Sequence, residues 1–547
     1  MDEALILIFC VAALAVTALA RQKGWPAPLL LVAVGTVASF IPAIPHIELG
    51  PEIILGLILP PLLFSAALQS SYQDFRTSLS SISRLGIGAV IVTAAAVAFL
   101  VHWLFPAIPF LAALVLGAVV APPDAVSAVA VGKRLGLPRR VMTVLTGESL
   151  INDATSLTLY KIALAGVASG VWSLTSGLST FALAVLVGVG LGLAIGWIAH
   201  RIRLALDDAP IAILISLIVP FACYWIAEAL QGSGVLAVVA AGLYLGHHAP
   251  AASYSTRLQE APIWQIMDLA LEALTFSLIG LQLRWVIAGV QDSAQGLGHA
   301  LAVSALVFGV VILVRPLYVF ATARLDKVQL PGSSRSERSA MNWRESLVVG
   351  WAGMRGVVTL AAAAAIPVMA DGQIFPERAT VQLAAYLTAI GTLMLQGLTL
   401  PWLIRKLQLT SDEDLKSDAE QERRVRVLMA KAQAQAISKV IDKWSDKVGQ
   451  DEAVRMAAKM RDRIVASNAA VGQIFRDETD TRPPRAMKRR ARMIAQMRRE
   501  LIAAQRHVLA QERDRGTVDE AVMRTLLREI DLAEESLSSS WISRATP

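Results

Sequence analysis

Apolar runs long enough to cross a hydrocarbon core recur along the first three quarters of the chain, each bounded by a short polar segment. They predict thirteen membrane-spanning helices, at 3–20, 27–44, 51–69, 85–105, 109–132, 140–166, 174–200, 209–230, 234–247, 262–282, 298–321, 345–368 and 379–404. Past residue 408 the pattern changes to amphipathic helices, at 419–445, 450–476, 486–514 and 518–538, separated by Gly, Asp and Pro breaks. The pattern divides the chain into a membrane domain, 1–408, and a cytoplasmic helical domain, 409–547. The fold class is all-α.

Two spans are interrupted. The fifth contains Ala121-Pro122-Pro123-Asp124, where two prolines remove backbone donors beside a carboxylate. The twelfth contains Gly350, Gly353 and Gly356 around Arg355. If thirteen divides as six, one linker span and six, these two spans take corresponding positions in halves of opposite orientation. Paired broken helices in 6+6 inverted repeats point to a transporter's midplane site.

The sixth span carries the densest polar cluster, Gly147-Glu148-Ser149-Leu150-Ile151-Asn152-Asp153. A charged side chain at the centre of a bilayer costs about 2.5–3.5 kcal/mol on insertion scales, so two carboxylates here imply a function. Glu148 and Asn152 are spaced i,i+4, as are Ser149 and Asp153, so the four share one side of a helix.

Composition agrees with a polytopic membrane protein and excludes an ordinary soluble enzyme: 547 residues, 55% hydrophobic, 17% charged. Charge is concentrated at the end, since residues 411–547 hold 23 Asp/Glu and 27 Lys/Arg. Only Cys10 and Cys223 occur, which rules out a disulfide framework or a thiolate metal site. The acidic start, Met-Asp-Glu-Ala, reads as a retained first span rather than a signal peptide.

Basic residues test the topology. Alternate loops carry Arg21 and Lys23; Arg76 and Arg84; Lys133, Arg134, Arg139 and Arg140; Arg201 and Arg203; Arg257; then Arg324, Lys327, Arg335, Arg338 and Arg344. Arg405 and Lys406 follow the last span, while the opposite loops hold only Arg284 and Arg378. The positive-inside rule then puts the N-terminus outside and the C-terminus in the cytoplasm. Lys161 and Arg315 fall near span ends, where long side chains snorkel. The net charge of +7 is accounted for by cytoplasmic loops, with no nucleic-acid partner. A basic face at Arg485, Lys488, Arg489, Arg490, Arg492, Arg498 and Arg499 suits anionic lipid or the tail's own acids.

Asp153 is the candidate carrier. A hard monovalent cation such as Na⁺ takes oxygen ligands, which Asp153, the Ser149 hydroxyl and carbonyls freed at Pro122–Asp124 can supply. Left without a cation, the same carboxylate is expected to take a proton, so one site exchanges the two by competition. Glu148 is expected to pair with Arg355, because an arginine in a membrane core cannot shed its charge. One titrating acid then favours one cation per proton, hence electroneutral exchange. Asp124 follows the break in span five, where its carboxylate is expected to accept from exposed backbone N–H groups of the half-helix and either to shape the site or to ligate the ion. Glu228 reads as interfacial. Asp268 and Glu272, i,i+4 near the cytoplasmic start of span ten, read as a solvated helix start, with a charged vestibule attracting cations as the alternative. His247-His248 read as a plain loop pair, with a pH sensor as the alternative. No hydrolytic or nucleotide-binding signature is present, so no cofactor is expected.

These residues resemble the monovalent cation:proton antiporter family 1, the bacterial sodium/proton exchangers and their animal relatives. The resemblance rests on Gly147 to Asp153, Leu59-Pro-Pro-Leu-Leu-Phe64, Ala227-Glu through Gly242, and Gly353-Met-Arg-Gly356, in order over residues 1–405. It implies a homodimer of thirteen-helix protomers exchanging Na⁺, sometimes K⁺ or Li⁺, for H⁺ by an elevator-like motion. It also implies ion binding at Asp153 with help from Asn152 and Ser149, and a Glu148–Arg355 pair. Two positions depart from the family: Pro123 precedes Asp124 where Thr is frequent, and Ser65 follows Phe64 where an acid is frequent. Both border the family's ion site, which leaves K⁺/H⁺ or mixed exchange as the alternative. A membrane sensor or scaffold working through its tail is the alternative of another class, although a relict site would be expected to lose Asp153 or Arg355.

Overall fold

The computed structural model describes residues 3–23, 25–42, 54–169, 174–206, 208–291, 295–325, 341–370, 373–409, 412–448 and 485–538. The chain groups into two compact units, Met1–Ala251 with Glu260–Ser411, and Ala252–Gln259 with Asp412–Pro547.

The first unit is helical apart from one two-residue antiparallel ladder, β1 (Met369–Ala370) with β2 (Gln373–Ile374). Besides the six-residue helix Tyr72–Thr77, its helices are α1 (Glu3–Lys23), α2 (Ala27–Ser39), α3 (Ile54–Gln69), α4 (Leu79–Leu104), α5 (Phe110–Val120), α6 (Ala125–Leu135) and α7 (Arg139–Ser169). They continue as α8 (Leu174–Leu206), α9 (Ala209–Ala229), α10 (Gly234–His248), α11 (Tyr254–Gln291), α12 (Gly296–Leu325), α13 (Trp343–Trp351), α14 (Val357–Ala364) and α15 (Arg378–Leu407). Among the described residues seven helices are long and apolar enough to cross a membrane, and α2, α3 and α5 are shorter apolar helices. The 31-residue α7, which carries the polar cluster, is not one of the seven.

Both expected interruptions are present. Helical structure stops after Val120, resumes at Ala125, stops again after Trp351 and resumes at Val357. Prolines 122 and 123 cannot donate to the preceding turn, which accounts for the first break. In the second, glycines make room for side chains that reach in: a Cβ at Gly353 would collide with Arg315, and one at Gly356 with the Asp124 carboxylate. No larger residue fits either place without displacing a charged group.

Some boundaries differ from those expected. α10 runs through His248, so His247 and His248 end a helix rather than occupy a loop. α11 begins eight residues before the expected span and includes Arg257, so Asp268 and Glu272 are well inside it. The loop positions Lys327, Arg335 and Arg338 lie outside the described residues.

The second unit contains α16 (Asp412–Val448), α17 (Arg485–Asp514) and α18 (Glu520–Ser538). Their amphipathic faces meet in a small core of Val425, Met429, Leu509, Val522, Leu526 and Ile530. Within this unit, which includes Ala252–Gln259 at the start of α11, Asp531 on α18 accepts hydrogen bonds from Arg257 and Arg506. The expected helix 450–476 lies outside the described residues.

Candidate functional site

The two breaks cross. The N–H of Asp124 donates to the C=O of Met354 at 2.6 Å, so the unwound backbone of one half-helix pair satisfies that of the other. The glycine at 356 lets the Asp124 carboxylate lie against this crossing.

α7 is stitched to both broken helices by a stripe at i, i+4 and i+8. Asn152 Nδ2 donates to Pro123 C=O at 2.8 Å, Ser156 Oγ to Ala118 C=O at 2.8 Å, and Tyr160 OH to Ala365 C=O at 2.9 Å. Asn152 and Ser156 are fully buried. The amide at 152 thus takes the carbonyl that the prolines release at 123, and its own Oδ1 stays buried with no hydrogen-bond partner. Sequence reasoning makes that carbonyl a cation ligand; one of its two lone pairs is taken by Asn152.

Asp153 sits one residue on, 5% exposed, within electrostatic reach of Asp124. Among the described residues its carboxylate forms no ion pair or hydrogen bond. Ser149, half-buried, lies one turn earlier on the same helix. No three His, Cys, Asp or Glu side chains among the described residues are grouped to hold a metal ion. A cation here would rely on one carboxylate with hydroxyl, amide and carbonyl oxygens, a set that suits a weakly held monovalent ion.

Glu148 is paired with a residue other than the expected one. Arg315 on α12 grips both of its carboxylate oxygens, with Nη2–Oε2 at 2.9 Å, and both side chains are buried. The same guanidinium donates to the C=O of Val349 from Nη2 at 3.1 Å and from Nε at 3.3 Å. Val349 is in the last turn of α13, so Arg315 also satisfies a carbonyl that the break orphans, and places a cation at a helix C-terminus. Arg315 is therefore no snorkelling residue.

The expected Glu148–Arg355 ion pair is corrected accordingly. Arg355 is 1% exposed and within electrostatic reach of Glu148 and Arg315, but its Nε and Nη1 have no hydrogen-bond partner. Its backbone N–H donates to Thr392 Oγ1 at 3.0 Å, which anchors the second break to α15. The physical reason lies in placement: α12 brings the Arg315 guanidinium onto both oxygens of Glu148 in bidentate geometry.

Two other expectations change, those for Asp268 and for His247-His248, and Ser65 and Glu228 gain partners. Ser65 is fully buried on α3 and donates to Asp268 Oδ2 at 2.7 Å, while Gln69 Nε2 donates to Ser65 Oγ at 2.9 Å. Asp268 is thus no solvated helix start. Glu228 pairs with Lys161 and accepts the N–H of Gly234 at 3.1 Å, so it caps α10. His247 and His248 stack with neighbouring rings, His247 against Tyr72 and His248 against Tyr244 and His200.

Sequence reasoning missed Arg315, Ser156, Tyr160 and Thr392. The 152, 156, 160 spacing was a usable signal for two of them, since polar residues four apart in an apolar helix mark one face.

Residues 6–406 match the family model described as sodium/hydrogen exchanger, transmembrane. An uncharacterized Na(+)/H(+) exchanger of Mycobacterium tuberculosis is 30% identical over 537 residues, 97% of this chain and 96% of its own. A sodium, potassium, lithium and rubidium/H(+) antiporter of Bacillus pumilus is 30% identical over 413 residues, 72% of this chain and 60% of its own. The solved sodium proton antiporter MjNhaP1 of Methanocaldococcus jannaschii superposes with a TM-score of 0.57 at 19% identity, covering 73% of this chain and 97% of that one. That likeness establishes a shared fold.

Proposed function

The chain belongs to the sodium/hydrogen exchanger family, and from that premise we propose that it exchanges Na⁺ for H⁺ across a membrane at the Asp153 carboxylate. The observation that carries this reading is the crossing of the two unwound segments, with Asn152 docked on one of them and Asp153 beside it. A buried carboxylate without a cationic partner is costly unless something neutralises it. A bound cation does so, and a bound proton does so, but one carboxylate does not hold both.

Each protein group then has its own part. Asp153 carries the exchanged charge; Ser149 and Asn152 Oδ1 offer neutral oxygens; Asp124 adds negative field at the break. Glu148 is neutralised by Arg315 and stays out of the exchange, which leaves one titrating acid at this position and supports electroneutral, one-for-one stoichiometry. Thirteen spans in two inverted halves, an outside N-terminus, a homodimer, and a regulatory role for the cytoplasmic tail complete the reading. Its access alternates between the two sides of the membrane.

A second reading, exchange of K⁺ or of several monovalent cations, is favoured by the serine at 65 and the proline at 123. The multi-cation antiporter of Bacillus pumilus is a relative for which such breadth is stated.

The test uses everted vesicles or proteoliposomes holding the full chain and an imposed pH gradient, with Na⁺, Li⁺ and K⁺ added in turn. Na⁺ should collapse the gradient, and Asp153→Asn should abolish the collapse. A gradient untouched by every cation, or unaffected by the substitution, ends the exchanger reading. A rate that responds to membrane potential ends the electroneutral part alone.

A further inference from the structure

Asp268 is a carboxylate inside an apolar helix with no ion-pair partner among the described residues. Such a residue in a membrane protein serves a polar pathway by default. Its surroundings are built rather than incidental. One oxygen, Oδ2, accepts from the fully buried Ser65, which is itself oriented by Gln69. The other, Oδ1, is sealed from solvent and has no hydrogen-bond partner. The Gln69 amide also lies within hydrogen-bonding reach of the Asp268 carboxylate, so Ser65 and Gln69 together hold it in place while Oδ1 keeps no partner of its own.

The carboxylate also leads somewhere. Glu272 follows one helical turn later on α11, about 6 Å along the axis. Glu272 is within electrostatic reach of both Asp268 and Asp124, and Asp124 is within reach of Asp153. At the first two members of the row the basic groups within electrostatic reach are Lys133 for Asp268 and Arg21 for Glu272, and neither forms an ion pair with these two acids among the described residues. At the far end of the row the Asn152 amide keeps Oδ1 buried and unpartnered beside the break. Four carboxylates in succession make a path of negative potential that ends at the carrier.

We propose that Asp268, seated on Ser65, is a second cation-handling carboxylate of the transport path, from which a monovalent cation passes by Glu272 and Asp124 to Asp153. The inference rests on the exchange reading above and adds a residue to it. Ser65 is then a positioning residue, which carries no charge of its own and aims the charge of Asp268. Because Asp268 acts before the carrier, its loss weakens capture of the cation and leaves the exchange step at Asp153 in place.

The experiment measures initial exchange rates against Na⁺ concentration in proteoliposomes of the full chain. Asp268→Asn should raise the half-saturating Na⁺ concentration about three- to tenfold, the scale of one screened charge on ion capture, with the maximal rate within about twofold. Ser65→Ala should raise it less, and Asp268→Glu should keep it near the original. Moving the acid across the hydrogen bond, in Ser65→Asp combined with Asp268→Ser, should restore most of the lost affinity. An unchanged half-saturation in Asp268→Asn overturns the proposal. So does an Asp268→Asn or swapped protein that folds but loses maximal rate alone, which marks a structural residue. If Asp268→Asn does not fold, the swapped protein decides: exchange with near-original half-saturation supports the proposal, and its failure to exchange overturns it. Absence of exchange in the unaltered chain is a different failure, since it removes the exchange reading itself and this inference with it.

Discussion

Two carboxylates five residues apart on α7, both buried, are treated in opposite ways. Glu148 has its negative charge cancelled by a bidentate arginine that also ties down the end of α13. Asp153 has an amide neighbour, a second acid within electrostatic reach, and no fixed cation among the described residues. Burial alone therefore says little about what a membrane carboxylate is for. The counter-charge separates the two: at Glu148 the protein supplies it, and at Asp153 it is left to a proton or, on the proposed reading, a mobile cation.

The largest effect that sharpens this contrast comes from neutralising each acid in turn. Asp153→Asn should abolish exchange and leave thermal stability equal to or above the original, because it removes a charge that nothing balances. Glu148→Gln should do the reverse to stability. It leaves Arg315 buried without its partner, at about 3–5 kcal/mol, and should lower the melting temperature in detergent markedly. Combining Glu148→Gln with Arg315→Met should recover much of that loss, since an apolar replacement of the arginine removes the uncompensated charge. If Asp153→Asn melts as early as Glu148→Gln, the two acids do not differ in kind.

A smaller effect is expected at the crossing. Gly356→Ala would drive a Cβ into the Asp124 carboxylate, whereas Gly309→Ala on α12 meets nothing within 4 Å. Overpacking of this sort costs about 1–3 kcal/mol, and here it should also displace a charge within electrostatic reach of Asp153. Exchange should fall severalfold in Gly356→Ala and stay unchanged in Gly309→Ala, read by the same gradient assay. Equal activity in the two would mean that Asp124 needs no fixed place at the crossing.

Much of this was legible along the chain, and the exceptions have a common cause. Two prolines at 122 and 123 and the glycines around Arg355 announce their breaks locally, because backbone chemistry acts on the residue that carries it. The Asp153 cluster stands out for the same reason, as charge against an apolar run. Partner choice is different. Arg315 and Arg355 are both arginines that could meet Glu148, and only the way α12 crosses α7 and α13 selects the first. The Ser65–Asp268 bond joins residues 203 positions apart, so neither hydropathy nor periodicity contains it. Ser65 looks like a lost carboxylate when read alone, and with its partner it looks like a carboxylate moved.

The smallest effect tests whether burial of a pair, rather than its mere presence, separates structural from incidental charge. Lys161 pairs with Glu228 on the same helix as Glu148, but its side chain is 54% exposed and that of Glu228 28%. An exposed pair gains little, since both groups remain solvated and lose entropy to meet, so Lys161→Met should change stability by less than about 1 kcal/mol. Glu228 keeps its bond to the N–H of Gly234 in that variant, so the cap on α10 persists. The melting temperature should move little, and exchange should not change. A loss on the scale of Glu148→Gln would show that α7 depends on its ion pairs regardless of depth. The separation between a fold-holding acid at 148 and an ion-handling acid at 153 would then need a cause other than the counter-charge.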